Sequence, residues 1–238
     1  MDSLGSLLVV QEHDLALDRL RHRHATLPER AQVAALEAEI AVIDADLETR
    51  RGPLADLARA QQRHEDEAVT LAGQAEAANT KLYSGGITSP KELQALQADV
   101  DMLRAHQAAV EEQAIVLMEQ REPLETEFAD VEAQRRARDD ALGAARAALS
   151  SVLAEVDAEI VAEQARRDAA AAAVEASVLA LYERCRADSP TRVGAARLVG
   201  RSCQGCHLTI PATEVAALRA APPGTVAHCD NCGAILVP

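Results

Sequence analysis

Four cysteines near the C-terminus are the residues of this chain best suited to chemistry. They form two Cys-x-x-Cys pairs separated by 22 residues, Cys203 with Cys206 and Cys229 with Cys232. Such a turn presents two thiolates to one metal ion, and two turns complete the tetrahedral shell of a structural zinc. We therefore predict one structural zinc ion held by these four cysteines.

Residues inside and beside the two turns bear on this prediction. Gly205, Asn231 and Gly233 tolerate the positive φ that a metal-binding turn often needs. His207 and His228 adjoin the turns, but four cysteines fill the shell without them. The alternative, a thioredoxin-like redox pair, uses a single motif in a βαβ setting. Because a closed shell leaves no position for a catalytic water, we expect no enzymatic activity.

Most of the chain before these cysteines has the pattern of a coiled coil. Apolar residues recur at steps of three and four in two seams, from Val33 to Leu82 and from Leu93 to Val156. Such spacing places them on one face of a helix, where they pack against a partner helix. Aromatic residues make up only 1% of the chain, so a large globular core is not expected.

The segment between the two seams predicts a reversal of the chain. Gly85 and Gly86 interrupt the first helix, and Ser89-Pro90-Lys91-Glu92 has the order of an N-cap, a first-turn proline and a capping glutamate. We therefore predict an antiparallel coiled-coil hairpin over residues 1–187, with a tip loop at about residues 83–90. The fold class is mainly α.

Prolines and alanines refine the helical region. Pro28 should separate a short first helix from the long one, while Pro53 and Pro123 should kink the two arms at a similar level. The run from Ala169 to Ala173 should continue a helix, because alanine has the highest helix propensity.

Residues 188–238 predict a small β zinc ribbon. Short strands are expected at Arg197–Arg201 and Ile235–Val237, with a helix or turn at Pro211–Ala220. The stretch from Arg184 onward has six basic and three acidic residues, whereas the rest has 18 basic and 35 acidic. Because a module this short can bury only a small apolar core, metal binding should supply much of its folding free energy.

Localisation follows from what the sequence lacks. No stretch approaches the length of an apolar membrane span, and no basic residue precedes the short apolar run at the N-terminus. We expect a cytoplasmic protein, because a reducing compartment keeps thiols available for metal. Cys185 is then a leftover, inert thiol.

The chain resembles the bacterial C4-type zinc-ribbon family with an N-terminal coiled-coil hairpin, long a family of unknown function. The resemblance rests on the tip from Leu82 to Leu93 and on the two turns, Cys203–His207 and Cys229–Gly233. It implies a long hairpin with the ribbon at the end away from the tip, and a non-enzymatic adaptor or regulatory role. Some relatives are associated with transcription factors, messenger RNA, or secretion and motility systems.

Two residues after the second turn depart from that family. After the second turn the family usually continues Gly-Arg-Ile-Leu-Tyr, whereas this chain has Ala234 and Val237 in place of the arginine and tyrosine. A cation and an aromatic platform useful for nucleic-acid binding are therefore missing.

Protein binding is the function that we favour from the sequence, with no small-molecule substrate and no membrane. The expected contact surfaces are the zinc ribbon and the tip, with Tyr83, Ser84, Gly85, Gly86, Ile87 and Lys91. The alternative for the tip is loop chemistry alone, with Tyr83 packed on Leu93. An apolar group at a turn is hard to shield from solvent, and such groups often mark interaction sites.

Two alternative functions remain open at this point. The ribbon would bind RNA or DNA through Arg192, Arg197 and Arg201, since clustered cations carry backbone affinity. An RNA-polymerase-binding effector with an acidic hairpin tip is less favoured, because residues 83–91 contain no carboxylate.

Overall fold

The protein is predominantly helical, with a small sheet near its C-terminus. The computed structural model describes residues 3–222 and 225–238. In chain order the elements are α1 (Ser3–Ala25), α2 (Pro28–Tyr83), α3 (Pro90–Ala171), α4 (Ala176–Asp188), β1 (Ala195–Val199), β2 (Ser202–Cys203), α5 (Ala212–Ala220) and β3 (Ile235–Val237). The predicted fold class is confirmed: long helices joined at a tip, followed by a short sheet with the cysteine cluster.

The chain divides into two compact units. One unit comprises Gln32–Ala145, and the other combines Met1–Ala31 with Arg146–Pro238. The second unit therefore joins the first helix to the C-terminal module, although these segments are far apart in sequence. The predicted division into a hairpin domain over residues 1–187 and a zinc-ribbon domain over residues 188–238 stays a prediction.

The unit Gln32–Ala145 is an antiparallel pair of helices. Ion pairs link Arg50 to Glu127 at 2.7 Å and Asp44 to Arg135 at 2.6 Å, so residue numbers rise along α2 as they fall along α3. The buried apolar residues of this unit all belong to the two predicted seams: Ile40, Leu47, Ala68, Leu71, Ala75, Val100, Val110, Ala114, Leu142 and Ala145.

Prolines have different effects at different places. Pro28 begins α2 after the break that ends α1, as predicted. Pro53 and Pro123 lie inside α2 and α3, and the predicted bend at their level stays a prediction. On the tip side of these prolines the seam contains a polar contact, in which Arg121 Nη1 donates to the buried Gln61 Oε1 at 2.6 Å.

The loop at the tip joins the two long helices as the sequence predicts. α2 ends at Tyr83 and α3 begins at Pro90. Gly85 has φ +76°, a left-handed conformation that glycine adopts without a Cβ penalty. Ser84 Oγ donates to the carbonyl of Lys81 at 2.8 Å, which satisfies one acceptor at the end of α2.

The prediction that a helix runs through Ala169–Ala173 is wrong for its last two residues. α3 ends at Ala171, and α4 begins at Ala176 after a short turn. Ala171 and Val174 are buried in a cluster with Leu7, Val10 and other apolar residues. Tertiary burial of the turn thus outweighs the local helix propensity of alanine.

A buried ionic network holds α1, α3 and α4 together. The Tyr182 hydroxyl donates to Asp14 Oδ2 at 2.6 Å, and Arg167 Nε donates to Asp14 Oδ1 at 3.4 Å. Arg186 Nη2 donates to Asp18 Oδ2 at 2.6 Å and to the Asp14 carbonyl at 3.4 Å. Because the carboxylate of Asp14 faces both arginines and a phenol, its burial is compensated.

One side chain of α1 also fixes the start of the sheet. Gln11 Oε1 accepts hydrogen bonds from the backbone N–H groups of Gly194 at 2.6 Å and Ala195 at 3.2 Å. Its Nε2 donates to the carbonyl of Arg192 at 3.3 Å. The first helix therefore holds β1 through backbone groups that would otherwise be buried without partners.

We expect Gly194→Ala to destabilise the protein, because α4 lies against this glycine. A Cβ would lie 2.7 Å from the Tyr182 carbonyl oxygen and 2.9 Å from Arg186 Cβ. Overpacking of this kind costs about 1–3 kcal/mol. The midpoint of urea unfolding at fixed zinc, followed by circular dichroism, measures the change.

The matched control is Gly5→Ala, in α1 of the same unit. No atom lies within 4 Å of its added Cβ, and alanine favours a helix over glycine by up to about 1 kcal/mol. Equal stability of the two variants would contradict the packing of Gly194.

Alkaline pH should destabilise the unit that combines Met1–Ala31 with Arg146–Pro238, because it ionises the Tyr182 hydroxyl. Burial and the hydrogen bond to Asp14 raise the pKa of Tyr182 above its ordinary value. The folded state holds this proton more tightly than the unfolded state, so its contribution to stability is complete below pH 10 and falls above it. The loss is about 1.4 kcal/mol per pH unit above the ordinary pKa of about 10.

The measurement uses the variant Tyr83→Phe, in which Tyr182 is the one remaining tyrosine. The near-ultraviolet absorbance of phenolate then reports the ionisation of Tyr182 alone. We expect phenolate to form only together with loss of helical circular dichroism. Phenolate formation in a fully helical protein would contradict the buried hydrogen bond.

Candidate metal centre

A three-stranded sheet carries the cysteine cluster. The strand order is β2-β1-β3, with β1 antiparallel to β2 and parallel to β3. Gly200 has φ +63° in the tight turn between β1 and β2. The strands and α5 overlap the predicted ones at Arg197–Arg201, Ile235–Val237 and Pro211–Ala220.

The sheet is buried on both faces. In β1, Ala195 packs against the apolar cluster of α1 and α4, while its neighbour Ala196 packs against the cluster that includes the cysteines. In β3, Ile235 faces the first cluster and Leu236 the second. Alternation of side chains along a strand explains this division. The sheet therefore links the cysteine site to the helices.

The two cysteine turns have the same backbone geometry. In the first turn, His207 N–H donates to the Cys203 carbonyl at 2.7 Å and Cys203 N–H to the Leu208 carbonyl at 3.1 Å. In the second turn, Gly233 N–H donates to the Cys229 carbonyl at 2.8 Å, and Cys229 N–H to the Ala234 carbonyl at 2.9 Å. Each turn thus positions its two sulfurs in the same way.

The left-handed residue of each turn lies just after its second cysteine. Gly233 has φ +74°, as its position predicts, but the first turn uses His207 at φ +60°. Gly205 and Asn231 do not have positive φ, so that part of the prediction is wrong. Gly205 instead lies where space is tight, because a Cβ would lie 3.0 Å from Ala196 Cβ.

The four sulfurs fit a tetrahedral zinc ion. Their positions all lie within 4.8 Å of one another. Sγ of Cys203 is 3.9 Å from that of Cys232, and Sγ of Cys206 is 3.8 Å from that of Cys229. A tetrahedron with Zn–S bonds of about 2.3 Å has edges of about 3.8 Å. The cluster can therefore hold one zinc ion, as predicted, and its sulfurs are too far apart for a disulfide.

Proton release must accompany metal binding at this site. Burial raises the pKa of Cys203 and raises the pKa of Cys232 to about 12. A hydrogen bond from the Leu208 backbone lowers the pKa of Cys206. Because zinc binds thiolates rather than thiols, acid weakens its binding.

The remaining thiol and the nearby histidines lie outside this shell. Burial raises the pKa of Cys185, which agrees with the expected inert thiol. Its sulfur is 3.7 Å from His228 Nδ1, which is also 3.2 Å from the Gly233 carbonyl oxygen. His228 thus supports the second turn from outside, and His207 is exposed.

The other predicted contact residues lie on the surface. Arg192, Arg197 and Arg201 are exposed, and no carboxylate pairs with them among residues 3–222 and 225–238. Arg201 Nε donates to the Ile210 carbonyl at 3.2 Å. At the tip, the exposed residues are Tyr83, Ser84, Gly85, Gly86 and Lys91, whereas Ile87 is half-buried. The arginines and the tip belong to different compact units.

Sequence reasoning missed the contribution of α1 to the site. Gln11 and Asp14 are polar residues in a short helix, and no periodic signal distinguishes them from surface residues. Only the folded chain brings them to the sheet and to α4.

No helix in the described part of the chain is long and apolar enough to cross a membrane.

Comparisons with known proteins match both parts of the chain. Residues 10–190 match the CT398-like coiled coil hairpin domain, and residues 202–236 match the C4-type zinc ribbon domain. An uncharacterised protein of Mycobacterium tuberculosis is 34% identical over 235 residues, covering 98% of this chain and 94% of the relative.

Solved structures show the same fold. A Mycobacterium smegmatis protein superposes with a TM-score of 0.84 at 28% identity, with both chains covered completely. CT398 from Chlamydia trachomatis has a TM-score of 0.65 at 18% identity, covering 98% of this chain and 96% of its own. HP0958 from Helicobacter pylori has a TM-score of 0.51 at 13% identity with the same coverage.

We expect Cys203→Ser to lose zinc, because serine removes one of the four thiolates that complete the shell. The purified variant should retain close to no zinc by atomic emission, whereas the wild type should retain one ion per chain on its four clustered cysteines. Loss of the ion should also lower the melting temperature of the helices, since β3 packs on α1.

Cys185→Ser is the matched control, because its sulfur lies outside the shell. This variant should keep the zinc and the melting temperature of the wild type. Full zinc content in Cys203→Ser would contradict the four-cysteine site.

Proposed function

Because this chain belongs to the family of CT398-like coiled-coil hairpin proteins with a C4-type zinc ribbon, we propose that it is a non-enzymatic adaptor. It binds a protein partner through the hairpin tip and presents the zinc ribbon as a second contact surface. The observation that carries this proposal is the exposed Tyr83 ring at the tip, 77% accessible to solvent.

The exposure of Tyr83 supports a contact role over loop chemistry alone. A tyrosine packed on Leu93 would be largely covered, so the 77% accessibility of the residue favours a contact role. Tyrosine provides a large apolar area with a polar hydroxyl, so it is enriched at the centres of protein interfaces. The left-handed Gly85 beside it fixes the loop without adding a side chain.

The metal site supports a structural role for zinc. Four thiolates complete the shell, so the ion supplies folding free energy rather than a site for activated water. Both families matched by the chain are defined by a coiled coil and a zinc ribbon rather than by an enzymatic activity. These observations support an adaptor whose ribbon needs zinc to hold its shape.

Nucleic-acid binding is the second candidate, supported by the exposed arginines of the ribbon. Arg192, Arg197 and Arg201 have no carboxylate partner among the described residues, which leaves their charges available to phosphates. Against it, Val237 replaces the aromatic residue of the family pattern and is buried. The formal net charge of the chain, −14, also opposes phosphate binding.

An RNA-polymerase effector with an acidic tip has less support. Residues 83–91 have no carboxylate, and Glu92 lies in the first turn of α3. A tip that held a catalytic magnesium ion would need acidic side chains.

Tyr83→Ala should weaken capture of the partner without changing stability, because the ring makes few contacts in the free protein. We would compare proteins retained from native lysate by the wild type, Tyr83→Ala and Val42→Ala, with quantitative mass spectrometry. Val42 is the matched control, an exposed apolar residue on the same helix. A contact at the centre of an interface is worth roughly 2 kcal/mol, or about 30-fold in affinity.

Nuclease treatment separates the two candidate functions. Proteins that survive nuclease, bind Val42→Ala and are lost with Tyr83→Ala support the adaptor. Retention that disappears with nuclease would instead favour nucleic acid, and identical capture by all three proteins would contradict the role of the tip.

A further inference from the structure

An apolar groove lies between the two helices of the unit Gln32–Ala145, outside the tip loop. Its floor contains the alanines Ala68, Ala72 and Ala114, and its walls contain Val69, Ile115 and Met118. Ala68 and Ala114 belong to the seams, but the three larger residues do not. Pairing of α2 with α3 therefore does not explain why these larger residues are apolar.

These larger side chains are exposed. Val69 is 73% accessible to solvent, Ile115 53% and Met118 47%. In a two-helix coiled coil, positions outside the seam are ordinarily polar, because they face water. Three apolar side chains gathered on one groove thus form a patch of the kind that marks an interaction site.

Carboxylates flank this patch. Glu65 and Glu111 line the same groove, one on each helix. Gln61 donates to Glu65 at 2.6 Å, and Gln107 donates to Glu111 at 2.7 Å. These neutral donors hold the carboxylates in place, while no ion pair of either is found in residues 3–222 and 225–238. Their negative charges therefore remain available to a cationic partner.

We propose that this groove binds an amphipathic α-helix of a protein partner, with leucine-like side chains on Val69, Ile115 and Met118 and lysine or arginine beside Glu65 and Glu111. A groove between two helices has the length and direction of a third helix, and an alanine floor permits close approach. A second copy of this chain would bring its own Glu65 and Glu111 close to these two carboxylates. This like-charge repulsion disfavours a second copy as the occupant. The surface is separate from the tip, so the proposal goes beyond the adaptor role and does not depend on it.

The methionines of the chain provide a direct test. Met118 lies in the groove, while Met102 is exposed elsewhere on the same helix. The full chain, labelled at its methionine methyl groups with ¹³C, is titrated with a synthetic helix of about five turns that carries leucine on one face and lysine on both flanks. We expect the Met118 methyl resonance to shift and the Met102 resonance to stay.

Matched variants test the two parts of the recognition. Val69→Ser with Ile115→Ser should weaken binding of the peptide roughly tenfold, since buried apolar contacts are lost. Val42→Ser and Val161→Ser are controls at exposed valines outside the groove and should have no effect. Glu65→Gln with Glu111→Gln should weaken binding at low salt but not at high salt, whereas Asp130→Asn should change neither.

Several outcomes would overturn the proposal. These are equal shifts at Met118 and Met102, no shift at Met118, or equal binding of a peptide in which glutamate replaces each lysine. A Met118 shift that depends on protein concentration without peptide, with a doubled mass in sedimentation, would assign the groove to a second copy of the chain. The same peptide is also titrated into the tip variant Tyr83→Ala, and we expect it to bind as tightly as to the wild type. The groove is then tested independently of the tip, so failure of this proposal and failure of the adaptor role can be told apart.

Discussion

Closure of the C-terminal module by four thiolates is the constraint on which that part of the protein depends. The two turns have matching backbone hydrogen bonds, and their sulfurs stand at the spacing of a zinc tetrahedron. A module of this size has too little apolar surface to fold securely by itself, so the ion supplies what the core lacks. The same closure leaves the ion no open coordination position for a catalytic water.

The sheet makes this metal site part of a larger unit. Alternate side chains of β1 and β3 enter two apolar clusters, one around the cysteines and one with α1 and α4. Gln11 and Asp14 of α1 then bind the sheet and α4 through hydrogen bonds and ion pairs. The ribbon is thus not an appendage of the helices, because its strands and the first helix cover each other's apolar surfaces.

The hairpin exposes apolar side chains at the tip and in one groove. Its seams bury small and aliphatic residues, so most of the exposed surface is polar and acidic. A cluster of exposed apolar side chains on such a surface therefore indicates an interaction site. Tyr83 stands at the tip, and Val69, Ile115 and Met118 line one groove. Both surfaces suit a protein partner, whereas the arginines of the ribbon suit phosphates. The proposed adaptor role rests on these separate surfaces.

The sequence by itself determined the regular parts of this protein. Spacing of Cys203, Cys206, Cys229 and Cys232 specified the metal site, and the heptad seams with Gly85 and Pro90 specified the hairpin, because these signals are local or periodic. Tertiary structure alone decided the end of α3 at Ala171 and the attachment of α1 to the sheet and to α4 through Gln11 and Asp14. Each of these depends on contacts between segments distant in sequence, whose burial outweighs local propensity and which no periodic pattern records.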